Sequence, residues 1–230
     1  MNLKPIGYIH TDFKEKFGIP RQSGRVPALQ GKIFILPEYA RPEAFRGIED
    51  FSHLWLIFDF SKSHRENWSP TVRPPRLGGN QRIGVFATRS PFRPNPIGLS
   101  CVKLENIIYA EKKIELFVSG VDLLDQTPIL DIKPYLPYAD SYPDANGSYA
   151  QILQDYHLEV DFPAEFLNQI PEEKRQALRA CLADDPRPSY QEDPERIYHM
   201  SFAGFEIHFR VKGWRLEVTG LEMDKKTKKN

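Results

Sequence analysis

The sequence predicts a mainly β protein, with a β-barrel or sandwich over residues 1–140 and a smaller α+β piece at about residues 150–222. Three observations carry this. Short β-rich runs bounded by turn residues recur through the first part with almost no helical periodicity. A stretch rich in Pro, Gly, Asp and Ser, Tyr138–Gln154, then separates two compositions. Finally, 230 residues with 40% hydrophobic and 27% charged side chains suffice to bury a core.

Taken in order, Ile6–His10 and Lys32–Leu36 read as strands, joined by a polar loop punctuated by Gly18, Pro20 and Gly24. Pro42–Phe51 reads as one or two helical turns, with Pro42 in the first turn. His53–Phe60, HLWLIFDF, is almost wholly apolar and predicts a strand buried on both faces, with His53 a hydrogen-bonded structural residue. Ile83–Thr88 predicts another strand, followed by a loop over Arg89–Pro96. Ile97–Ile108 and Lys113–Val121 form a hairpin pair, with Gly98 marking a bulge or a close approach. Alternation over Ile129–Lys133 gives a short strand with two different faces. In the second part, Leu158–Phe162 reads as a strand and Pro163–Ile170 as a short helix. Glu172–Ala183 reads as a longer helix with Ala177, Leu178, Cys181 and Leu182 on one side. A three-stranded meander follows at Ile197–Phe202, Phe205–Val211 and Trp214–Leu221, turning at Gly204 and Gly213. Residues 223–230 form a charged tail.

Net charge is zero, so the chain as a whole is not a general polyanion binder, but its charge is unevenly placed. Residues 61–100 carry seven Lys/Arg against one acid, and residues 151–200 carry five against eleven. Val72–Ser100 holds Arg73, Arg76, Arg82, Arg89 and Arg93 with no acid among them, on a backbone stiffened by five prolines. Arginines on rigid loops fork onto carboxylates or phosphates and stack on flat bases; the alternative is a solvated rim. Cys101 and Cys181 lie eighty residues apart without a CxxC, which argues against a zinc site or a disulfide framework, and no metal is expected. The N-terminus lacks the pattern of a signal peptide and no window is apolar enough for a membrane span, which points to a cytoplasmic protein.

The sequence contains no GxxxxGK[ST], GxGxxG, GxSxG or HExxH. Three polar constellations remain: Pro20-Arg21-Gln22, the arginine–proline stretch, and Asp122, Asp125 and Asp131. The acidic group is either turn and cap chemistry or a hydrogen-bonding turn, at Asp125-Gln126-Thr127, for a ribose or an amino group.

ATRSPFRPNPIGLS and DLLDQTPILDIKPYLPYADSYPDA resemble the TrmO-type tRNA methyltransferases, also called the TsaA-like or YaeB-like family. PRQSG, FSHLWLIFDF, WSPTVRPPRLGG and DPRPSY match in the same order, so the resemblance runs from about Ile6 to Leu221. It implies an N-terminal β-barrel methyltransferase domain at residues 1–145 that binds S-adenosylmethionine, a small α+β C-terminal domain at residues 150–222, and a homodimer. The implied reaction is methylation of the exocyclic N6 of threonylcarbamoyladenosine beside the anticodon of threonine tRNAs. Carried over by match, Pro20, Arg21, Gln22, Ser61, Lys62, Arg89, Leu99, Asp122, Asp125, Gln126 and Thr127 would contact the methyl donor. The family commonly has His where this chain has Ser61 and Gly where it has Gln126. No catalytic base is identifiable.

The tRNA anticodon loop, with its phosphates and splayed bases, gives the arginines a purpose, and Arg73, Arg76, Arg82 and Arg93 are the candidates for RNA. One of them is expected to pair with the threonylcarbamoyl carboxylate. Arg187 and Tyr190 are candidates for a phosphate contact and a base stack, against a plain packing loop. The competing class is a non-catalytic RNA- or nucleotide-binding β-barrel, which would bind tRNA without incorporating methyl groups. A small-molecule methyltransferase, a third reading, would not be inhibited by bulk RNA.

Overall fold

The computed structural model describes residues 3–74, 81–153, 156–188 and 193–224. Six strands close a barrel: β1 (Gly7–Thr11), β2 (Gln30–Ile35), β3 (His53–Asp59), β6 (Ile97–Ala110), β7 (Lys113–Ser119) and β8 (Thr127–Pro134), in the order β1-β2-β7-β6-β3-β8. Barrel closure removes every exposed sheet edge and gives each strand one inward face. That explains a correction to β3, which the sequence predicted to be buried on both sides. Leu54, Leu56 and Phe58 point into the core, while His53, Trp55, Ile57 and Asp59 alternate with them and stay half-exposed. The apolar residues of the outer row lie where the barrel wall meets other parts of the chain: the Trp55 indole N–H donates to Asp140 at 2.9 Å.

The β6–β7 hairpin forms as expected, and β6 carries its register shift between Leu104 and Asn106. Gly98 is no bulge. A Cβ there would sit 2.2 Å from the Phe58 ring, so the glycine makes room for a core aromatic on the neighbouring strand. A second correction falls at Ile83–Thr88. Only Ile83–Gly84 (β5) pairs, with the two-residue strand β4 (Thr71–Val72), and a 3-10 turn follows at Val85–Ala87. The β-branched composition suggested a strand, but among the described residues no further strand pairs with it. Instead the Val85 N–H donates to the Pro70 carbonyl at 2.9 Å, and the Thr88 hydroxyl closes the turn on the Val85 carbonyl at 2.8 Å.

The stretch Tyr138–Gln154, expected to be a linker or an excursion, contains short helical turns over its described residues. A helical turn, α1 (Pro137–Asp140), precedes a 3-10 turn at Ser148–Leu153, and the Tyr149 hydroxyl donates to the Ala87 carbonyl at 3.3 Å. After it come β9 (Glu159–Asp161), a single turn α2 (Ala164–Leu167) and α3 (Glu172–Ala183), which buries Ala177, Leu178, Cys181 and Leu182 as its periodicity predicted. The expected meander, β10 (Tyr198–Phe202), β11 (Phe205–Lys212) and β12 (Arg215–Met223), gains β9 as a fourth strand parallel to β12.

The loop between β1 and β2 joins the barrel to this sheet. The Phe13 ring is fully buried and meets Phe202 edge to face at 5.4 Å. The Ala203 N–H donates to the Asp12 carbonyl at 3.0 Å, and Lys174 Nζ lies 2.6 Å from the Asp12 carboxylate. Arg25 Nε donates to Asp184 at 2.6 Å. The loop carrying Pro20-Arg21-Gln22 is thus clamped from both sides. Among the described residues no helix is long and apolar enough to cross a membrane.

Candidate functional site

The arginine–proline stretch forms one wall of a cleft of about 1570 Å³. Arg73, Arg82, Arg89 and Arg93 line it together with Arg21 and Gln22 from the clamped loop. Arg65 stacks on the Phe92 ring, with its guanidinium carbon 3.7 Å from the centroid. Arg93 donates to the carbonyls of Thr88 at 3.2 Å and Ser90 at 3.5 Å, and Arg82 reaches the Thr71 hydroxyl at 3.5 Å. Contacts of this kind orient a guanidinium without neutralising it, so the wall keeps its positive charge. Trp68 and Phe86 add two exposed aromatic rings, 6.1 Å apart. Sequence reasoning passed over both, although Trp68 opens one of the quoted motifs.

Behind Gln22 and Arg89, which line the cleft, three segments distant in sequence meet at Asp122. Gln22 Oε1 accepts a hydrogen bond from Arg89 Nη1. Ser23 Oγ accepts from the Cys101 backbone N–H at 3.1 Å, which brings the clamped loop onto β6. The neighbouring Ser100, nearly fully buried, donates its hydroxyl to Asp122 Oδ1 at 2.6 Å. Burial pushes the Asp122 carboxyl up to about 6. The Ser100 hydroxyl, the backbone amides of Asp122 and Ser23, and the charge of Arg89 oppose that rise. A carboxylate so raised is under-compensated, and an added ammonium or hydroxyl donor would stabilise its charged form. Ser23 and Ser100 were missed at the sequence level, since a serine shows no signal until its partner is known.

Three residues on, Asp125 lies in a different environment. Its side chain is 7% exposed and accepts from the Thr11 N–H at 3.1 Å; Lys14 Nζ ion-pairs with it and His10 Nδ1 stands 3.3 Å away. Gln126 adopts φ 63, in the left-handed region that costs a side-chain-bearing residue energy. The Gln126 side chain makes a contact from Nε2 to His10 Nδ1 at 2.8 Å. Thr127 is buried and donates its hydroxyl to the Leu124 carbonyl at 2.7 Å. Asp131 pairs with Lys133 at 3.0 Å in a largely exposed position and stands apart from both clusters.

Pro20 is buried and fixes the start of the loop. Ser61 and Lys62 are exposed after β3, and the Lys62 carbonyl accepts from Lys16 Nζ at 2.8 Å. Leu99 is 54% exposed on the outside of β6, opposite Ile57. Arg187 does not present a free guanidinium: Asp185 grips it through Nε at 2.9 Å and Nη2 at 3.0 Å, while its carbonyl accepts from Arg21 Nη2 at 2.9 Å. Arg76 and Tyr190 lie outside the described residues. Burial raises both thiols, Cys101 and Cys181, so neither is a thiolate nucleophile at neutral pH. Among the described residues, His199, Glu206 and His208 on the four-stranded sheet form a metal-capable group, their ligand atoms within 4.8 Å of one another.

Barrel, clamped loop and basic cleft together define a β-barrel protein in which a buried, raised carboxylate lies close to a polyanion-sized groove. The chain belongs to the tRNA-methyltransferase O family: residues 8–141 match its N-terminal domain and residues 155–224 its C-terminal domain. The tRNA (adenine(37)-N6)-methyltransferase of Escherichia coli (strain K12) is 45% identical over 228 residues, covering 96% of this chain and 97% of that protein. The protein of the same name from Eikenella corrodens is 48% identical over 163 residues, covering 70% of this chain and 92% of its own. A crystal structure of TrmO from Pseudomonas aeruginosa superimposes with a TM-score of 0.79 at 35% identity, covering 97% of each chain.

Proposed function

We propose that this chain is a tRNA (adenine-N6)-methyltransferase of the cytoplasm that uses S-adenosylmethionine and acts on threonylcarbamoyladenosine beside the anticodon of threonine tRNAs. One observation carries the reading. Gln22 and Arg89, bonded to each other, line the cleft walled by Arg73, Arg82 and Arg93, and the charge of Arg89 also acts on Asp122, so donor and RNA meet at one edge.

The donor supplies an electrophilic methyl group on a sulfonium, together with an ammonium, a carboxylate and an adenosine. The residues present suit it. Arg89 pairs with the carboxylate, and Asp122 takes an amino or hydroxyl group, which relieves its own raised pKa. The side chain of Asp125 is already engaged by Thr11, Lys14 and His10, and the three amides of the turn Asp125-Gln126-Thr127 are bonded to Phe13, Ile9 and Leu124, so the turn offers the donor carbonyl oxygens. Pro20, Arg21, Ser61, Lys62 and Leu99 complete the surround. The amino group of adenine is a weak nucleophile, because its lone pair is delocalised into the ring. Holding it in line with the methyl group at near-attack distance is the chief contribution of such a site, worth up to about 7–11 kcal/mol.

Arg73, Arg76, Arg82 and Arg93 are assigned to the anticodon loop, and one of them pairs with the threonylcarbamoyl carboxylate, which rejects unmodified adenosine. Arg187, gripped by Asp185, acts as a strut under Arg21 rather than as a phosphate contact. We assign the donor site to a unit of residues 1–145. The enzyme works as a homodimer, and Ile97 (41% exposed) on the outside of the barrel is apolar surface that a second copy would cover. Gel filtration at a mass near 26.6 kDa would contradict the dimer. The test of the function is incorporation of labelled methyl groups from the donor into tRNA carrying threonylcarbamoyladenosine. Tight RNA binding without incorporation would favour a non-catalytic barrel instead.

A further inference from the structure

The reading above gives the arginines of the cleft a role but leaves its exposed aromatic rings unexplained. We infer that Phe86 and Trp68 form a stacking platform for one unpaired base of the bound RNA, an inference that rests on the cleft being an RNA site.

Large aromatic rings are seldom left in water without a reason, and two together in a binding cleft mark a contact surface. Phe86 is 72% exposed and Trp68 51%, while the residue next to Phe86, Val85, is 1% exposed. Phe86 therefore sits at the tip of a turn whose base is anchored. The Val85 N–H is bonded to Pro70, Thr88 closes the turn, and the Tyr149 hydroxyl holds Ala87 from the far side. A ring on so rigid a pedestal loses little freedom when it is covered.

The geometry selects the mode of stacking. The two centroids are 6.1 Å apart with the planes tilted by 38°. A base sandwiched between parallel rings needs about 6.8 Å, two stacking steps of about 3.4 Å, so the pair does not intercalate one. The base instead lies on the open face of Phe86, with Trp68 bracing the ring from beside it. Arg93, its guanidinium carbon 6.0 Å from the Phe86 centroid, adds a cation at the margin where a phosphate follows the base. Flat ligand plus adjacent anion describes a splayed nucleotide better than it describes a peptide, whose aromatic side chains bring no phosphate. Stacking tolerates any base and favours those of larger area, so the platform holds the loop in place without reading its sequence.

The experiment measures binding of an anticodon stem-loop RNA and its KM in methyl transfer. Phe86→Ala and Trp68→Ala, alone and combined, should weaken RNA binding and raise KM roughly tenfold or more, with donor affinity and kcat retained. Phe86→Tyr and Trp68→Phe should restore the wild-type values. Stem-loops with a single abasic nucleotide, walked through the loop, should include one position at which Phe86→Ala has no further effect, the signature of a shared contact. Wild-type affinity in the double alanine variant, or an equal loss with every abasic RNA, would overturn the platform. The two proposals fail separately. A wild-type protein that binds the stem-loop through these rings but transfers no methyl group would contradict the methyltransferase reading alone. Normal transfer by the double variant at wild-type KM would contradict the platform alone, and a wild-type protein with no affinity for the RNA would contradict both.

Discussion

Asp122 and Asp125 lie three residues apart on one turn, yet the fold treats them in opposite ways. Asp125 is enclosed by partners of its own chain: the Thr11 amide, Lys14 and His10. Asp122 has the Ser100 hydroxyl and two backbone amides, but its one cationic neighbour of note, Arg89, is turned toward Gln22 and the cleft. A carboxylate supplied with cations holds a structure together, whereas one buried with too few is held ready for a ligand. Burial alone does not separate the two. What surrounds the buried group does.

The comparison breaks most sharply at Asp122. Asp122→Asn removes the charge but keeps the shape, and donor affinity measured by calorimetry should fall about tenfold to a hundredfold, the worth of a hydrogen bond to a charged group. In the wild type that affinity should improve as pH rises through about 6, where Asp122 ionises, and the limb should vanish in the variant. Stability should move the other way. The folded carboxyl holds its proton more tightly than the unfolded one, with a pKa raised from 3.8 to about 6. Its contribution is therefore greatest below about pH 4 and lost as pH climbs to about 6. Denaturant melts across that window should show the decline in the wild type and not in Asp122→Asn.

Asp125→Ala should act chiefly on stability. It strands the Thr11 amide and should cost about 1–3 kcal/mol, read as a drop in Tm of several degrees. Lys14 and His10 are 58% and 46% exposed, so screened charge adds little to that figure. Donor affinity should change less than in Asp122→Asn, and the reverse ranking would mean that the two aspartates have been assigned the wrong way round.

The smallest effect separates Arg89 from the RNA arginines. Arg93→Ala should reduce the slope of log affinity against log salt for RNA by about 0.7, one phosphate contact on a single strand. Arg89→Ala should weaken the donor and leave that slope alone.

Local pattern made much of the fold legible. The β6–β7 hairpin, α3 and the meander each carry a period that only one element satisfies. Val85-Phe86-Ala87 was misread because strand-forming composition says nothing about whether a partner strand exists, and among the described residues none pairs with it. The site was legible as residue types but not as groupings. Ser23, Ser100 and Asp122 meet only because a clamped loop lands on β6, and Lys14 reaches Asp125 across 111 positions. Motif order pointed to a set of donor candidates; the different surroundings of Asp122 and Asp125 within it depend on contacts that no local window contains.

The central claim is that donor and RNA meet at the Asp122 edge of the cleft for methyl transfer. Nucleoside mass spectrometry of threonine tRNA incubated with the protein and S-adenosylmethionine tests it most directly. The expected result is one added methyl on threonylcarbamoyladenosine with the wild type and a strongly reduced yield with Asp122→Asn. An unmodified nucleoside with the wild type, or full methylation by the Asp122 variant at limiting donor, would contradict it.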